Sequence, residues 1–191
     1  KAARNNLAAY ARQTLENFAY KPVDRNIKME QDLTEFDCIR APCVNTCPAG
    51  QNIPEYMYYT AEENFGNAFR TILQDNPFPN VTGMACDHLC QSKCTRINYD
   101  NALLIRGVKR TIAESGQDAK LSENQIDKGK VAVIGAGPSG LAAAYYMARA
   151  GLDIDVFESK EFAGGMLADA IPEFRLSEEA IRADIKRIEK L

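Results

Sequence analysis

Apolar side chains recur along the first part of the chain at the spacing of helix faces. Leu7, Tyr10, Ala11, Leu15 and Phe18 predict an amphipathic helix over residues 1–19. A polar stretch broken by Pro22 follows to about Glu35, then a cysteine-bearing loop from Cys38 to Cys47 that ends at Pro48. Residues 53–64 predict a helix. Phe65, Ala68, Phe69, Ile72 and Leu73 lay one apolar stripe over residues 65–74, and Asn76-Pro77-Phe78-Pro79 ends that helix. A second cysteine-bearing stretch, Cys86 to Cys94, leads into a helix that Asp100 or Asn101 would cap, with Leu104, Val108 and Ile112 on one face. Residues 1–115 therefore predict a small all-helical domain.

The pattern then changes. Residues 116–129 are polar, without apolar periodicity, and read as a linker. Val131 to Ile134 is a short apolar run fit for a buried parallel strand. Leu141 to Ala150 is an alanine-rich helix, and Ile154 to Phe157 a second strand. A last helix over residues 177–191 carries Ile181, Ile185 and Ile188 on one face. The fold class is thus α followed by α/β, with one βαβ unit in residues 130–191.

With 191 residues, 46% hydrophobic and 26% charged, the composition is globular and excludes a disordered or collagen-like chain. No run of about 18 apolar residues suggests a membrane span. The N-terminus lacks a basic segment followed by an apolar one, which points to a cytoplasmic protein. A net charge of -3 argues against nucleic-acid binding and offers no basic patch for a membrane surface. The first residue is Lys1, and one βαβ unit is too little to cover a doubly wound sheet, so a longer parent protein is expected.

Chemistry is concentrated at two places. Gly135-Ala136-Gly137-Pro138-Ser139-Gly140 follows the first strand and opens a helix, the context in which a glycine triplet binds a dinucleotide. Gly135 permits the tight turn, Gly137 lets the backbone approach a pyrophosphate, and Gly140 lets helix and strand pack closely. Amides at the helix start face the phosphates. Glu158 closes the second strand, where its carboxylate suits a ribose 2′-hydroxyl and would repel a 2′-phosphate. The pair Gly164-Gly165 beyond it matches the flavoprotein extension of this fingerprint and favours FAD over NAD. Residues 130–191 are read as the first part of a Rossmann-like FAD domain.

The other place is the cysteines. All six lie between Cys38 and Cys94, spaced Cys38-x4-Cys43-x3-Cys47-Pro48 and Cys86-x3-Cys90-x3-Cys94. Thiolates so close together can wrap a 4Fe-4S cluster, and a run ending C-x3-C-P has the form of the bacterial ferredoxin signature. Structural zinc would favour C-x2-C knuckles, which are absent here, and a disulfide network would need an oxidising compartment. His88, inside Cys-Asp-His-Leu-Cys, is read as a loop histidine rather than a ligand, and Tyr56-Met57-Tyr58-Tyr59 as helix packing. Two cubane clusters need about eight ligands, and six thiols fall short of that. Spacing alone leaves one cluster and two clusters both open.

A helical iron–sulfur domain followed by a GxGxxG flavin domain resembles the glutamate synthase small subunit and the N-terminal part of dihydropyrimidine dehydrogenase. Within that superfamily the likeness is strongest to the selenate reductase-type large subunit. That likeness is carried by Phe36-Asp37-Cys38, Ala41-Pro42-Cys43, Ile53-Pro54-Glu55-Tyr56 and Cys86-Asp87-His88, and the broader resemblance by the cysteines with Ile53-Pro54-Glu55, Asn76-Pro77-Phe78-Pro79, Thr82-Gly83 and Ile171-Pro172-Glu173-Phe174-Arg175-Leu176. The resemblance implies that Cys38, Cys43 and Cys94 serve one cluster and Cys47, Cys86 and Cys90 the other. Glu35 stands where the family has a further cysteine. Lys109 stands about where a Gln or Glu completes the second set, and a lysine does not replace that ligand. The resemblance further implies that Gly135 to Gly140 hold the FAD pyrophosphate, that Glu158 with Ser159 beside it holds the ribose, that Gly165 and Met166 approach the flavin, and that Arg175 touches FAD.

The resulting expectation is an electron-transfer subunit of an oxidoreductase complex. Its partners would be other oxidoreductase subunits, such as a molybdenum-type catalytic subunit, with NAD(P)H reached through a domain outside this chain. A docking module with structural clusters, or a zinc-stapled interaction domain, is the competing class. No nucleophile or acid–base constellation occurs, so no catalytic residue is assigned.

Overall fold

Prolines start more helices here than they stop. The structure, a computed structural model, describes residues 41–115 and 129–191. The helix expected over 1–19, the stretch to Glu35, Cys38 and nearly all of the linker lie outside the described residues. Pro42, Pro54, Pro79 and Pro138 each occupy the first or second position of a helix, where a missing N–H costs nothing. Their helices are α1 (Pro42–Thr46), α2 (Ile53–Ala61), α4 (Pro79–Ala85) and α7 (Pro138–Arg149).

Two of these correct the sequence reading. The loop expected from Cys38 to Cys47 contains α1, closed by Thr46 Oγ1 donating to the Pro42 carbonyl at 2.8 Å. Asn76 to Pro79 does end α3 (Phe65–Asp75), but Pro79 at once begins α4, an element not expected. Within the second cysteine stretch, α5 (Leu89–Ser92) is likewise a short helix rather than loop, and a 3-10 turn covers Thr95–Asn98.

The next helix, α6 (Ile105–Glu114), begins later than expected. Neither Asp100 nor Asn101 caps it: Leu104 stands at the cap position, and the Asp100 carboxylate is taken by Arg96 at 2.8 Å. Its phase also differs. Leu104 is exposed, and the buried face is Ile105, Lys109, Ile112 and Ala113.

Strands β1 (Lys130–Ile134) and β2 (Asp153–Phe157) pair in parallel, Lys130 opposite Asp153 and Ile134 opposite Phe157, with α7 between them in sequence. The expected burial of these strands is not found: Ile134 is 81% and Phe157 55% exposed, because the described sheet has two strands. Two helices complete the fold, α8 (Met166–Asp169) and α9 (Glu178–Ile188). The Ser177 hydroxyl caps α9 by accepting from Ala180 N–H at 3.3 Å.

Two cores result. One joins Ile53 and Tyr56 of α2, Ala68, Phe69, Ile72 and Leu73 of α3, Cys90, and Ile105, Ile112 and Ala113 of α6. The other joins Phe78 and Val81 to Leu141, Tyr145, Leu176, Ile181 and Ile188, so it mixes residues of the helical and the α/β halves. Polar ties cross the same boundary. Tyr145 Oη donates to the Leu73 carbonyl at 2.5 Å, and Arg149 Nη1 to the Gln74 carbonyl at 3.0 Å. Asp184, fully buried on α9, accepts from the N–H of Asn80 at 3.3 Å and of Val81 at 2.9 Å, from Asn80 Nδ2 at 2.8 Å and from Arg187 at 2.8 Å. It thereby caps α4 from across the boundary. Burial pushes its carboxyl above the ordinary value, while these donors pull it back.

Candidate functional site: the thiol cluster and the glycine turn

The described thiols come from three short elements that turn sharply. Cys43 lies in α1, Cys47 caps its end, Cys86 caps the end of α4, Cys90 lies in α5, and Cys94 follows it. All five are free; Cys90 and Cys94 are buried and the other three are half-buried. The turn between Cys86 and Cys90 is possible because His88 adopts a left-handed conformation, φ +47°. The sharp bend makes Cys86 Sγ the acceptor of His88 N–H, at 3.3 Å.

Electrostatic coupling shows which groups lie together. Burial raises the Cys43 thiol, and Cys94 and Cys47 raise it further. Cys90 is pushed up to about 11 by burial and by Cys47 and Cys86, while Lys109 pulls it down. Tyr56, buried on α2, has Cys90, Cys47, Cys43 and Cys86 around it, and its hydroxyl is shifted far up, chiefly by burial. Tyr56 therefore packs as the sequence suggested, whereas Tyr58 of the same stretch is exposed.

Among the described residues no three His, Cys, Asp or Glu side chains stand close enough together to hold a single metal ion. A cuboidal cluster asks for something else: one thiolate per iron, spread over the corners of a wider body. The donor chemistry fits that demand, since soft, unpaired thiols surround one buried region with cations next to them. Arg106 Nη1 donates to the Cys86 carbonyl at 2.8 Å, and Lys109 is 5% exposed with Cys86, Cys47 and Cys90 as neighbours that favour its charge. Sequence reasoning missed that Lys109 is buried. Phasing α6 on Ile105 rather than Leu104 would have found it, because Ile105, Lys109 and Ile112 are spaced as one face.

The glycine turn sits where β1 meets α7. Gly135 has φ +97°, and a Cβ there or on Gly137 would meet nothing within 4 Å, which leaves open space over the turn. A Cβ on Gly140 would stand 2.0 Å from the Gly135 carbonyl oxygen and 3.3 Å from Val133 Cγ1. Ala136 is buried, and Pro138 and Ser139 form the first turn of α7. The Glu158 carboxylate reaches the turn: Oε2 accepts from Ala136 N–H at 2.7 Å, and Oε1 accepts from Lys160 N–H at 2.9 Å and from the Ser159 hydroxyl at 3.3 Å. These donors hold Glu158 below its usual value.

Gly164 and Gly165 arrive at the same place. Gly164 N–H donates to the Ala136 carbonyl at 2.8 Å, and a Cβ on Gly165, φ +50°, would lie 3.0 Å from Gly137 Cα. Met166 begins α8 beside them and is exposed. Arg175 lies elsewhere: it lines a cavity of about 480 Å³ with His88, Gln91, Arg106, Arg110 and Phe174, on the side of α4 to α6. Among the described residues no helix is long and apolar enough to cross a membrane.

Comparison with known proteins gives two family matches. The dihydropyrimidine dehydrogenase domain II, 4Fe-4S cluster model matches residues 13–121, and an NAD(P)-binding Rossmann-like domain model matches residues 133–178. YgfK of Escherichia coli (strain K12), a provisionally named oxidoreductase, is 44% identical over 171 residues, 87% of this chain and 16% of that protein. The NADP(+)-dependent formate dehydrogenase subunit beta of Moorella thermoacetica is 34% identical over 184 residues, 83% of this chain and 26% of that protein. The NAD-dependent dihydropyrimidine dehydrogenase subunit PreT of E. coli (strain K12) is 35% identical over 159 residues, 81% of this chain and 39% of that protein. The chain thus spans well under half the length of these relatives. Grouped thiols, a glycine turn after a parallel strand, and a match over residues 13–121 converge: the chain belongs to the 4Fe-4S cluster family of dihydropyrimidine dehydrogenase domain II.

Proposed function

We propose that this chain is the electron-relay portion of an NAD(P)-linked oxidoreductase, with 4Fe-4S clusters on its thiols and FAD on its glycine turn. The observation that carries the reading is that α4, which ends at the Cys86 thiol, packs with the helix opened by the glycine turn: Phe78 and Val81 share a core with Leu141 and Tyr145. FAD exchanges two electrons as hydride and releases them singly, and clusters accept one electron at a time.

The chain's own residues have distinct tasks in this reading. Cys38, Cys43 and Cys94 hold one cluster, and Cys47, Cys86 and Cys90 the other. Gly135, Ala136, Gly137, Pro138, Ser139 and Gly140 present open backbone to a pyrophosphate. The approach of Gly165 to Gly137 favours FAD over a nicotinamide, since a second loop closing on the turn is the flavoprotein feature. Glu158, assisted by Ser159, holds the ribose, and Met166, beside Gly165, approaches the flavin, whereas Arg175 lines the cavity on the side of α4 to α6 and is given no contact with FAD. Residues 1–115 are the cluster domain, 116–129 a linker, and 130–191 the first part of the FAD domain. The relatives' names support an NAD(P)-linked complex of several subunits. Partners are therefore other oxidoreductase subunits, and NAD(P)H acts through a domain beyond this chain.

The test is iron, acid-labile sulfide and flavin content of the intact protein, with EPR after reduction. About eight irons per chain mean two clusters and about four mean one. Protein without sulfide would refute the cluster assignment, and protein without flavin would refute the FAD assignment.

A further inference from the structure

Lys109 is out of place for a lysine. It is 5% exposed, on the same α6 face as Ile105 and Ile112, which belong to the helical core. An ammonium so buried is tolerated only beside counter-charge. Burial and Arg106 disfavour its charge, and the groups that most favour it are Cys86, Cys47 and Cys90. The Arg106 guanidinium donates to the Cys86 carbonyl at 2.8 Å, and its backbone N–H donates to Gln91 Oε1 at 3.2 Å. The arrangement makes electrostatic sense once Cys47, Cys86 and Cys90 are thiolates.

We propose that Lys109 is the built-in counter-ion of the cluster carried by Cys47, Cys86 and Cys90, and that its charge raises that cluster's reduction potential. The inference rests on the cluster assignment above. Reduction adds one electron, and hence one negative charge, to a body already ligated by thiolates. A fixed cation in a dry surround stabilises the reduced form more than the oxidised one. Lys109 is a positioning residue here and ligates nothing.

The experiment uses the intact protein and two variants, Lys109→Met and Lys109→Arg. Iron and sulfide are measured first, then midpoint potentials by EPR-monitored redox titration. In Lys109→Met one cluster's midpoint moves negative, its reduced-to-oxidised ratio at a fixed potential falling about tenfold, or about 59 mV for a one-electron couple. Lys109→Arg keeps the wild-type midpoint. A Lys109→Met protein with full iron content and an unchanged midpoint overturns the proposal. If Lys109→Met loses the cluster, retention of cluster and midpoint in Lys109→Arg upholds the charge requirement, and loss in both variants overturns it. Wild-type protein without sulfide refutes the cluster assignment instead, a result separate from either variant.

Discussion

Asp184→Ala is the sharpest test of how the helical and α/β halves are joined. The substitution removes one carboxylate and orphans the buried N–H groups of Asn80 and Val81 at the start of α4, the Asn80 side chain, and the Arg187 guanidinium. Removing one partner of a buried charge pair costs about 3–5 kcal/mol. A buried donor left without an acceptor costs about 1–3 kcal/mol. These losses share one side chain, so they do not add. Arg187 is 25% exposed and recovers some hydration, which places the expected loss at about 4 kcal/mol. That is a large part of the roughly 5–15 kcal/mol that holds a domain folded. Asp184→Asn keeps one acceptor but can turn an amide N–H toward Val81 N–H, at a cost of about 1–3 kcal/mol. Urea unfolding followed by far-UV circular dichroism measures both. A loss under about 1 kcal/mol for Asp184→Ala, the value of an exposed ion pair, would refute the assigned role.

Three further outcomes are expected. Gly140→Ala should lower the melting temperature far more than Gly135→Ala. The first forces a methyl to 2.0 Å from a backbone oxygen, whereas the second costs only the strain of a positive φ, about 1–3 kcal/mol. In metal-free protein, Cys90 should resist iodoacetamide until the pH nears 11. Its folded value lies above the unfolded 9.0, so its stabilising contribution is complete below pH 9 and is lost as pH rises through about 11. Rapid Cys90 labelling at pH 8 would contradict this. Asp100 is held down to about 2 by Arg96, below the ordinary 3.8, so its contribution is present above pH 3.8 and is lost as pH falls toward 2. Wild-type and Asp100→Asn midpoints should therefore converge in that acid window, and a constant difference across it would contradict the pairing.

What was legible in the sequence was whatever local rules decide. The glycine turn could be read because Gly135, Gly140 and Glu158 act within one βαβ unit, and the structure gives each a distinct geometric reason. The helix α3 could be read because its stripe is long and strict. Pro79 misled because proline ends one helix and begins the next with equal ease, and only the following residues tell which. Strand burial misled because it depends on what covers a sheet, not on the strand. Asp184 was invisible for a related reason: flanked by Arg182, Lys186 and Arg187 it reads as part of a solvated face, and its burial is decided by α4, about a hundred residues earlier. Lys109 was noticed only by position, while the fact that matters, its enclosure among thiols, required the phase of α6.

The two-stranded sheet has a practical consequence for anyone handling this polypeptide. Each strand keeps one edge without a strand partner among the described residues, and Ile134, Val156 and Phe157 lie exposed on the same ribbon. Such an edge is a template for pairing with any extended chain, including another copy of itself. Self-association should therefore grow with concentration wherever the ribbon is left bare, and additional strands that complete the sheet would act as solubility devices as much as parts of a cofactor site.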